Sequence, residues 1–574
     1  MKKLIKNTTL INLFNCKYNA QIHKLISKTS LLKTNNIFLF KTLDYINKHN
    51  KIKNSIYYSI TNHYSQCKVN RPPIDNGLKL SSVSEKIDLR NISENCYIEQ
   101  VQTGCISHFG YYIESEGNSM IIDPIRDIEF YLKIIKDRNS SLKYIGETHF
   151  HADFISGHYE LSQKTGAPII YGPGAKAEFR IVNAKNNSIY ELSSKIKIQV
   201  IHTPGHTLES VCFCILEKVN DNDNEFKKIA LFTGDTIFLG DVGRPDLAVK
   251  SNVSSKDLAS MMYDSIQVIK KLPDNILILP GHGAGSACGK NIESGTVSTL
   301  GKQKQTNYAF NNELKKDEFI EILTSNISAP PQYFFFDAEM NHKTLNSIDH
   351  IIKNSKKPIT ILQYNKMVND DKSIKTIDTR DYNEVYKTGI IKGSYCISLD
   401  TSYAIWAATL LKPTDRVIIV SNKGKEEESI KRLARVGFEN IIGYLENGIN
   451  DWINNNYKTV KINTITAEET INVINKDNDD NVIIDVRTNN EHKSKGLIKN
   501  SICYPLNEFE ENINILKDSK NNLSSKNIYI VCKGGIRATI ASSIINKYYD
   551  ELNVYVVEGG MDNLERKGFK PDKI

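Results

Sequence analysis

The sequence contains no Cys-x-x-Cys pair: its ten cysteines are scattered at positions 16, 67, 96, 105, 212, 214, 288, 396, 503 and 532. That spread excludes a disulfide framework and fits a reducing compartment in which one or two thiols are reactive. No stretch approaches the roughly 18 uninterrupted apolar residues of a membrane helix, which argues against a membrane span. No acidic residue occurs before Asp44 and no arginine before Arg71, while residues 1–43 hold eight lysines. The formal charge of +8 over 574 residues is therefore largely an N-terminal feature. It argues against a nucleic-acid-binding face on the folded body.

Residues 1–80 are rich in Lys, Ser, Thr and Asn, with short apolar patches such as LINLF (10–14). This is the character of a mitochondrial presequence, although such segments favour Arg. The competing reading is a disordered, compositionally biased tail. A secretory signal is disfavoured because no apolar core precedes a small-residue cleavage site. The expectation is a mitochondrial matrix protein, with a cytoplasmic location as the alternative. The whole length suits about three or four domains.

From about residue 96 short apolar runs end repeatedly in turns containing Gly, His or Asp: MIIDP (120–124), YIGETH (144–149), KIQVIHTPGH (197–206), IALFTGD (229–235) and ILILPGH (276–282). Such runs read as buried strands, and segments such as 256–272 between them as helices. A polar connecting region, 301–356, includes KKDEF (315–319) and the Pro-Pro turn at 330–331. Beyond it lies an internal duplication. KTIDTRDYNEVYKTGIIKGSYCISLD (375–400) parallels NVIIDVRTNNEHKSKGLIKNSICYPL (481–506), and RVIIVSNKGKEEE (416–428) parallels NIYIVCKGGIRAT (527–539). The closing motifs YLENGINDW (444–452) and VVEGGMDNL (556–564) match as well. Two tandem α/β units of roughly 100 residues account for this, over 357–460 and 461–574.

His149, His151 and Asp153 are spaced as the first ligands of a metal site at a strand end. His206, Asp235 and His282 each follow another apolar run. Strand ends of an α/β sandwich converge on one edge, so residues far apart in sequence can surround one ion. The residue after Asp153 is Phe154, which has no lone pair to donate.

THFHAD (148–153), HTPGHT (202–207), FTGDTIF (232–238) and PGHGAG (280–285) resemble the metallo-β-lactamase fold, an αββα sandwich. GDVGRPDL (240–247), GSACGK (285–290) and TLGKQKQTNYA (299–309) are similar to its persulfide dioxygenase branch fused to rhodanese domains. The resemblance implies an αββα domain over 96–300 with His149, His206 and Asp235 as metal ligands. Two histidines and a carboxylate leave open positions, as expected for one non-haem Fe(II) per chain that activates O2. A two-metal hydrolase of this fold would need a histidine at 154 beside Asp153, His282 and a bridging Asp235. His151, Asp153 and His282 are then expected to orient ligands or hold water. The implied substrate is glutathione persulfide. Arg244 matches a position that grips a glutathione carboxylate, with Thr207 a weaker candidate for the same pocket and a structural ion pair the competing role for Arg244. Cys288 is either a thiol near the substrate or a buried inert one.

CKGGIRAT (532–539) follows the apolar strand IYIV and precedes a helix-like stretch. Backbone N–H groups and the helix N-terminus favour a thiolate or persulfide anion there. The loop resembles the rhodanese active-site loop Cys-x-x-Gly-x-Arg, which implies Cys532 as nucleophile, Gly535 opening the loop and Arg537 drawing in an anionic donor. DVRTNNE (485–491) matches the rhodanese Asp-x-Arg…Glu signature, whereas Gly496-Leu497-Ile498 departs from the usual Gly-His-Ile. The first copy has Ser421 in place of the cysteine, and a hydroxyl cannot carry a sulfane sulfur. Its expected role is a spacer or docking domain.

The expectation is an α/β, bifunctional enzyme of sulfide oxidation. Glutathione persulfide, O2 and water give sulfite and glutathione at the iron, and Cys532 moves sulfane sulfur in forming or using thiosulfate. The rivals are a glyoxalase II-like zinc thioester hydrolase and a non-catalytic persulfide-binding protein. The sequence leaves the oligomeric state open, a homo-oligomer included.

Overall fold

The computed structural model describes residues 78–81, 89 and 92–574, apart from 221–223, 249–252, 326, 328, 477–479, 518–525, 550–551 and 574. The expected targeting segment, 1–80, falls almost entirely outside the described residues. Among the described residues no helix is long and apolar enough to cross a membrane.

The first domain is built on two sheets. A seven-stranded sheet runs in sequence order from Leu78–Ser81 to Val182–Asn183. A six-stranded sheet runs Ser298–Thr299, Leu277–Pro280, Phe226–Gly234, Val211–Lys218, Ile196–His202, Ile189–Glu191. Side-chain alternation explains the layering, because successive residues of a strand face opposite sides. Tyr111, Ile113, Met120 and Ile122 join Ile198, Val200, Phe213 and Ile215 in the core between the sheets. Their neighbours Tyr112 and Ile121 face outward onto Ile128 and Tyr131 of the helix Ile128–Asp137. On the far side Cys212, Cys214 and Ile278 pack against Met262, Ile266 and Ile269 of the helix Ser255–Ile269. A capping box between Ser254 and Asp257 starts that helix. Helices therefore cover both sheets, and the αββα expectation holds.

The region expected to be a connector is built in. The helix Lys316–Thr324 adds Phe319 and Leu323 to the core around Met262, so the first domain reaches past residue 300. The helix Ile348–Ser355 packs on the helix Glu426–Ala434 and the strand Ile441–Leu445 of the next domain.

Two five-stranded, all-parallel sheets follow. The first runs Pro358–Ile359, Ile441–Leu445, Val417–Val420, Lys375–Asp378, Ser394–Cys396. The second runs Asn463–Ile465, Asn553–Val557, Asn527–Val531, Asn481–Asp485, Ile502–Cys503. The identical strand order confirms the duplication read from the sequence. Val417–Val420 is buried throughout, as a central parallel strand covered on both faces must be.

Candidate metal centre and persulfide loop

The strands Ser141–Gly146, Ile196–His202, Phe226–Gly234 and Leu277–Pro280 end at one edge of the sandwich, and the loops after them carry the polar residues. The two sheets are tied there by the backbone: Phe109 N–H donates to the carbonyl of Gly281 at 2.7 Å and Gly283 N–H to that of Ser107 at 3.0 Å. Each strand end therefore delivers its ligand to a common point.

One Asp235 carboxylate oxygen, Oδ2, lies 3.8 Å from His149 Nε2 and 3.4 Å from His206 Nε2. The three donors are buried and lie within 4.8 Å of one another. Each imidazole is oriented through its other nitrogen. Thr148 donates its hydroxyl to Asp123 Oδ2 at 2.9 Å, so its oxygen accepts from His149 Nδ1 at 3.0 Å. His206 Nδ1 donates to the backbone carbonyl of Arg244 at 2.9 Å. Both Nε2 lone pairs are thereby presented to the same point. Burial pulls His206 down to about 4 and His149 well below the usual histidine range, which keeps both rings neutral and able to ligate. Burial pushes Asp235 up to about 6. His149 Nε2 and both Asp235 oxygens are buried without hydrogen-bond partners, an expensive arrangement that a cation relieves. The donor set fits a metal ion.

A second donor group survives the loss of a histidine at 154. His282 Nε2 lies 3.5 Å from Asp153 Oδ2 and 3.5 Å from the other Asp235 oxygen, Oδ1. His151, Asp153 and His282 place donors within 4.8 Å of one another. Phe154 therefore does not by itself dismantle that group. It fills the adjoining space: its ring is fully buried, 4.3 Å from the rings of His108 and of His151. His151 Nε2 is turned to Asp123 Oδ1 at 3.2 Å and Glu147 Oε2 at 3.4 Å. Burial opposes a charge on His151, but Asp123 and Glu147 outweigh it and hold the ring well above its usual range.

Arg244 is expected to grip a glutathione carboxylate, with a structural ion pair as its competing role. Its guanidinium is buried and spent on Asp246, with Nε and Nη2 donating to the two carboxylate oxygens at 2.7 Å each. The structure shows the ion-pair role, and the part of Arg244 that serves the site is its carbonyl on His206. Thr207 is likewise turned inward, sharing a 2.7 Å hydrogen bond with the Ser210 hydroxyl. The neighbouring Gly243 is demanded by space, since a Cβ there would sit 2.1 Å from the Asp235 carbonyl and 2.9 Å from His206 Nδ1. Cys288 is buried, its thiol pushed well up by that burial, and its sulfur lies within reach of Asp235 and His282. Residue spacing gave no hint of His108, Asp123, Glu147 or Thr148. Asp123 and Glu147 do stand at strand ends, in MIIDP and GETH, which is the signal that could have found them.

In the last domain Cys532 ends the strand Asn527–Val531 and faces the N-terminus of the helix Ile536–Tyr548. Gly535 takes φ +96°, a conformation glycine adopts without strain, and its N–H donates to Cys532 Sγ at 3.1 Å. Arg537 forms a two-pronged pair with Glu491, at 2.6 and 2.7 Å. Behind the loop, Met561 and Asp562 N–H groups donate to the carbonyls of Cys532 and Lys533 at 2.7 and 2.9 Å.

The comparisons agree with this architecture. Residues 103–181 match the metallo-beta-lactamase superfamily, and residues 360–455 and 466–567 match the rhodanese-like domain. A crystal structure of a metallo-beta-lactamase from Staphylococcus aureus subsp. aureus COL is similar at 30% identity and TM-score 0.53, covering 62% of this chain and 99% of that one. Hydroxyacylglutathione hydrolases of Pelagibacter ubique and Citrobacter koseri are 31% and 30% identical over 180 and 168 residues. Those matches take in 30% and 29% of this chain and span 66% and 58% of the two relatives. The chain belongs to the metallo-β-lactamase superfamily. It is a member in which that domain is followed by two rhodanese-like domains, one with a cysteine in its loop and one without.

Proposed function

We propose that this protein oxidises glutathione persulfide with O2 and water to sulfite and glutathione, and that Cys532 transfers sulfane sulfur to or from the same pool. The observation that carries the one-metal reading is His151. Its Nε2 is turned to the Asp123 and Glu147 carboxylates at 3.2 and 3.4 Å, and the Phe154 ring that packs against it stands where the two-metal pattern has a histidine. One ferrous ion held by His149, His206 and Asp235 would supply O2 activation and a seat for the persulfide sulfur. Thr148 and the Arg244 carbonyl hold the two imidazoles in the ligating tautomer. Phe154 and His108 fill the adjoining volume, their rings 4.3 Å apart.

At the other site the Cys532 thiolate attacks the outer sulfur of a persulfide. The sulfur–sulfur bond of the donor breaks, a thiolate leaves, and a cysteine persulfide forms. Sulfite attack on that outer sulfur regenerates the Cys532 thiolate and yields thiosulfate. The Gly535 amide stabilises the anionic sulfur, and the Arg537–Glu491 pair places a guanidinium beside the loop. Covalent fusion raises the effective concentration of the shared intermediate. The acid-poor N-terminus supports a mitochondrial location.

The second reading is a two-zinc thioester hydrolase. It is favoured by the His151–Asp153–His282 group and by the names of the similar hydrolases. Metal analysis with O2 uptake on glutathione persulfide separates the two. The proposal expects one iron per chain and O2 consumption that disappears in His149→Ala. Two zinc ions, no O2 uptake and thioester cleavage would overturn it.

A further inference from the structure

The loop that carries His149 is fastened from outside its own domain. Residues 149–156 form neither helix nor strand, only an isolated bridge between Ser156 and Ile125. Buried peptide groups in such a segment need partners from elsewhere. Much of the partnering here comes from residues beyond the sandwich.

Asn341 follows the helix Tyr333–Met340 in the connecting region and is fully buried. Its Nδ2 donates to the carbonyls of His151 and Phe154, each at 2.8 Å, and its Oδ1 accepts from Ser156 N–H at 2.8 Å. Both amide protons and the carbonyl are used, so one side chain spans the loop. The next residue, His342, stacks on the Phe150 ring with centroids 3.7 Å apart, and its carbonyl accepts from Glu178 N–H at 2.8 Å. A further amide, Ile155 N–H, donates to the carbonyl of Arg435 at 2.7 Å. Arg435 belongs to the first rhodanese-like domain, the one with Ser421 in its loop. Its guanidinium is fully buried in the first domain, paired with both oxygens of Asp127 at 2.7 and 3.0 Å.

We propose that Asn341 is a positioning residue for the metal, and that the first rhodanese-like domain with its connector forms the outer wall of the metal centre. Ligand geometry is sensitive to such outer contacts, because a ligand held loosely loses affinity by about 10–100-fold. Asn341 acts through the backbone and fixes the path of the chain from His151 to Ser156, directly after the ligand His149. The inference rests on the His149–His206–Asp235 ligand set alone, so it stands or falls separately from the persulfide chemistry.

The test uses the full chain with Fe(II) or Co(II) alone as the probe. Asn341→Ala should bind Fe(II) about 10–100-fold more weakly in chelator competition and shift the Co(II) absorption bands, while Cys532 sulfur transfer is retained as the sign of a folded chain. Asn341→Asp, of nearly the same shape, removes the donors to His151 and Phe154 and should show the same weakening. Wild-type affinity and spectrum in either folded variant would overturn the proposal. Loss of sulfur transfer in both variants would overturn it as well, by making Asn341 a support of the whole chain.

Discussion

The two rhodanese-like domains share one strand order and differ in what fills the same loop. In both, a buried Asp-x-Arg pair braces the first long strand: Arg380 grips Asp378 and donates to the Gly389 carbonyl at 2.7 Å, and Arg487 grips Asp485 and donates to the Gly496 carbonyl at 2.8 Å. In both, a glycine closes on the loop from behind. A Cβ on Gly448 would sit 2.5 Å from the Ser421 carbonyl, and one on Gly560 would sit 2.1 Å from that of Cys532. The loops themselves part company. Gly535 N–H points at the Cys532 sulfur, whereas Gly424 N–H at the matching place donates to its own neighbour's carboxylate, Glu426 Oε2, at 2.8 Å. Glu491 pairs with Arg537, whereas Glu384 accepts from Asn422 at 2.9 Å. The first loop has an acid where the second has a guanidinium. The scaffold is thus kept in full while the loop amide of the first copy is taken by the loop's own Glu426.

This contrast can be broken most severely at Cys532. Cys532→Ser makes the second loop like the first, and sulfur transfer from thiosulfate to cyanide should fall by at least on the order of a thousandfold with O2 uptake on persulfide unchanged. A smaller loss would mean that another thiol carries the sulfur. The reverse exchange sharpens the comparison. Ser421→Cys in that background should restore no more than roughly 1% of the transfer, because Glu426 stays on the loop amide and no guanidinium faces the thiol; the same assay checks it. Arg537→Lys keeps the charge and loses the two-pronged geometry, so a decline of about tenfold is expected, read as sulfur-transfer kcat/KM. The smallest effect concerns acid. Although burial opposes it, Arg537 holds the Glu491 carboxyl down to about 2, against a usual value near 4.5. The pair's contribution to stability is therefore complete above pH 4.5 and fades as pH falls towards 2. A carboxyl chemical-shift titration of Glu491 should show a midpoint well below the usual value near 4.5.

Much of this was legible in the chain. Strand ends such as IALFTGD and ILILPGH put Asp235 and His282 in one place because a buried strand can only terminate at the sheet edge. The repeat of KTIDTRD and NVIIDVR announced two copies of one unit. What did not follow from spacing was the use of side chains already placed. Spacing left Arg244 open to a carboxylate ligand or an ion pair, and the structure places Asp246, two residues on, against its guanidinium. Phe154 signalled a missing ligand but not that His151, Asp153 and His282 still converge. The connecting region read as polar spacer, since the composition of 301–356 says nothing about what Asn341 would touch.

The sequence by itself determined the elements, their order, the duplication, the donor types and which loop has a thiol. These are local properties, written in periodicity and in the chemistry of single residues. Only the tertiary structure decided which donors face one another, that His151 belongs to Asp123 and Glu147, and that the loop bearing His149 is held by Asn341 and Arg435. Asn341 lies 192 residues from His149 in the chain, and Arg435 lies 308 from Asp127. Such contacts arise from burial of whole domain faces, which no local pattern records.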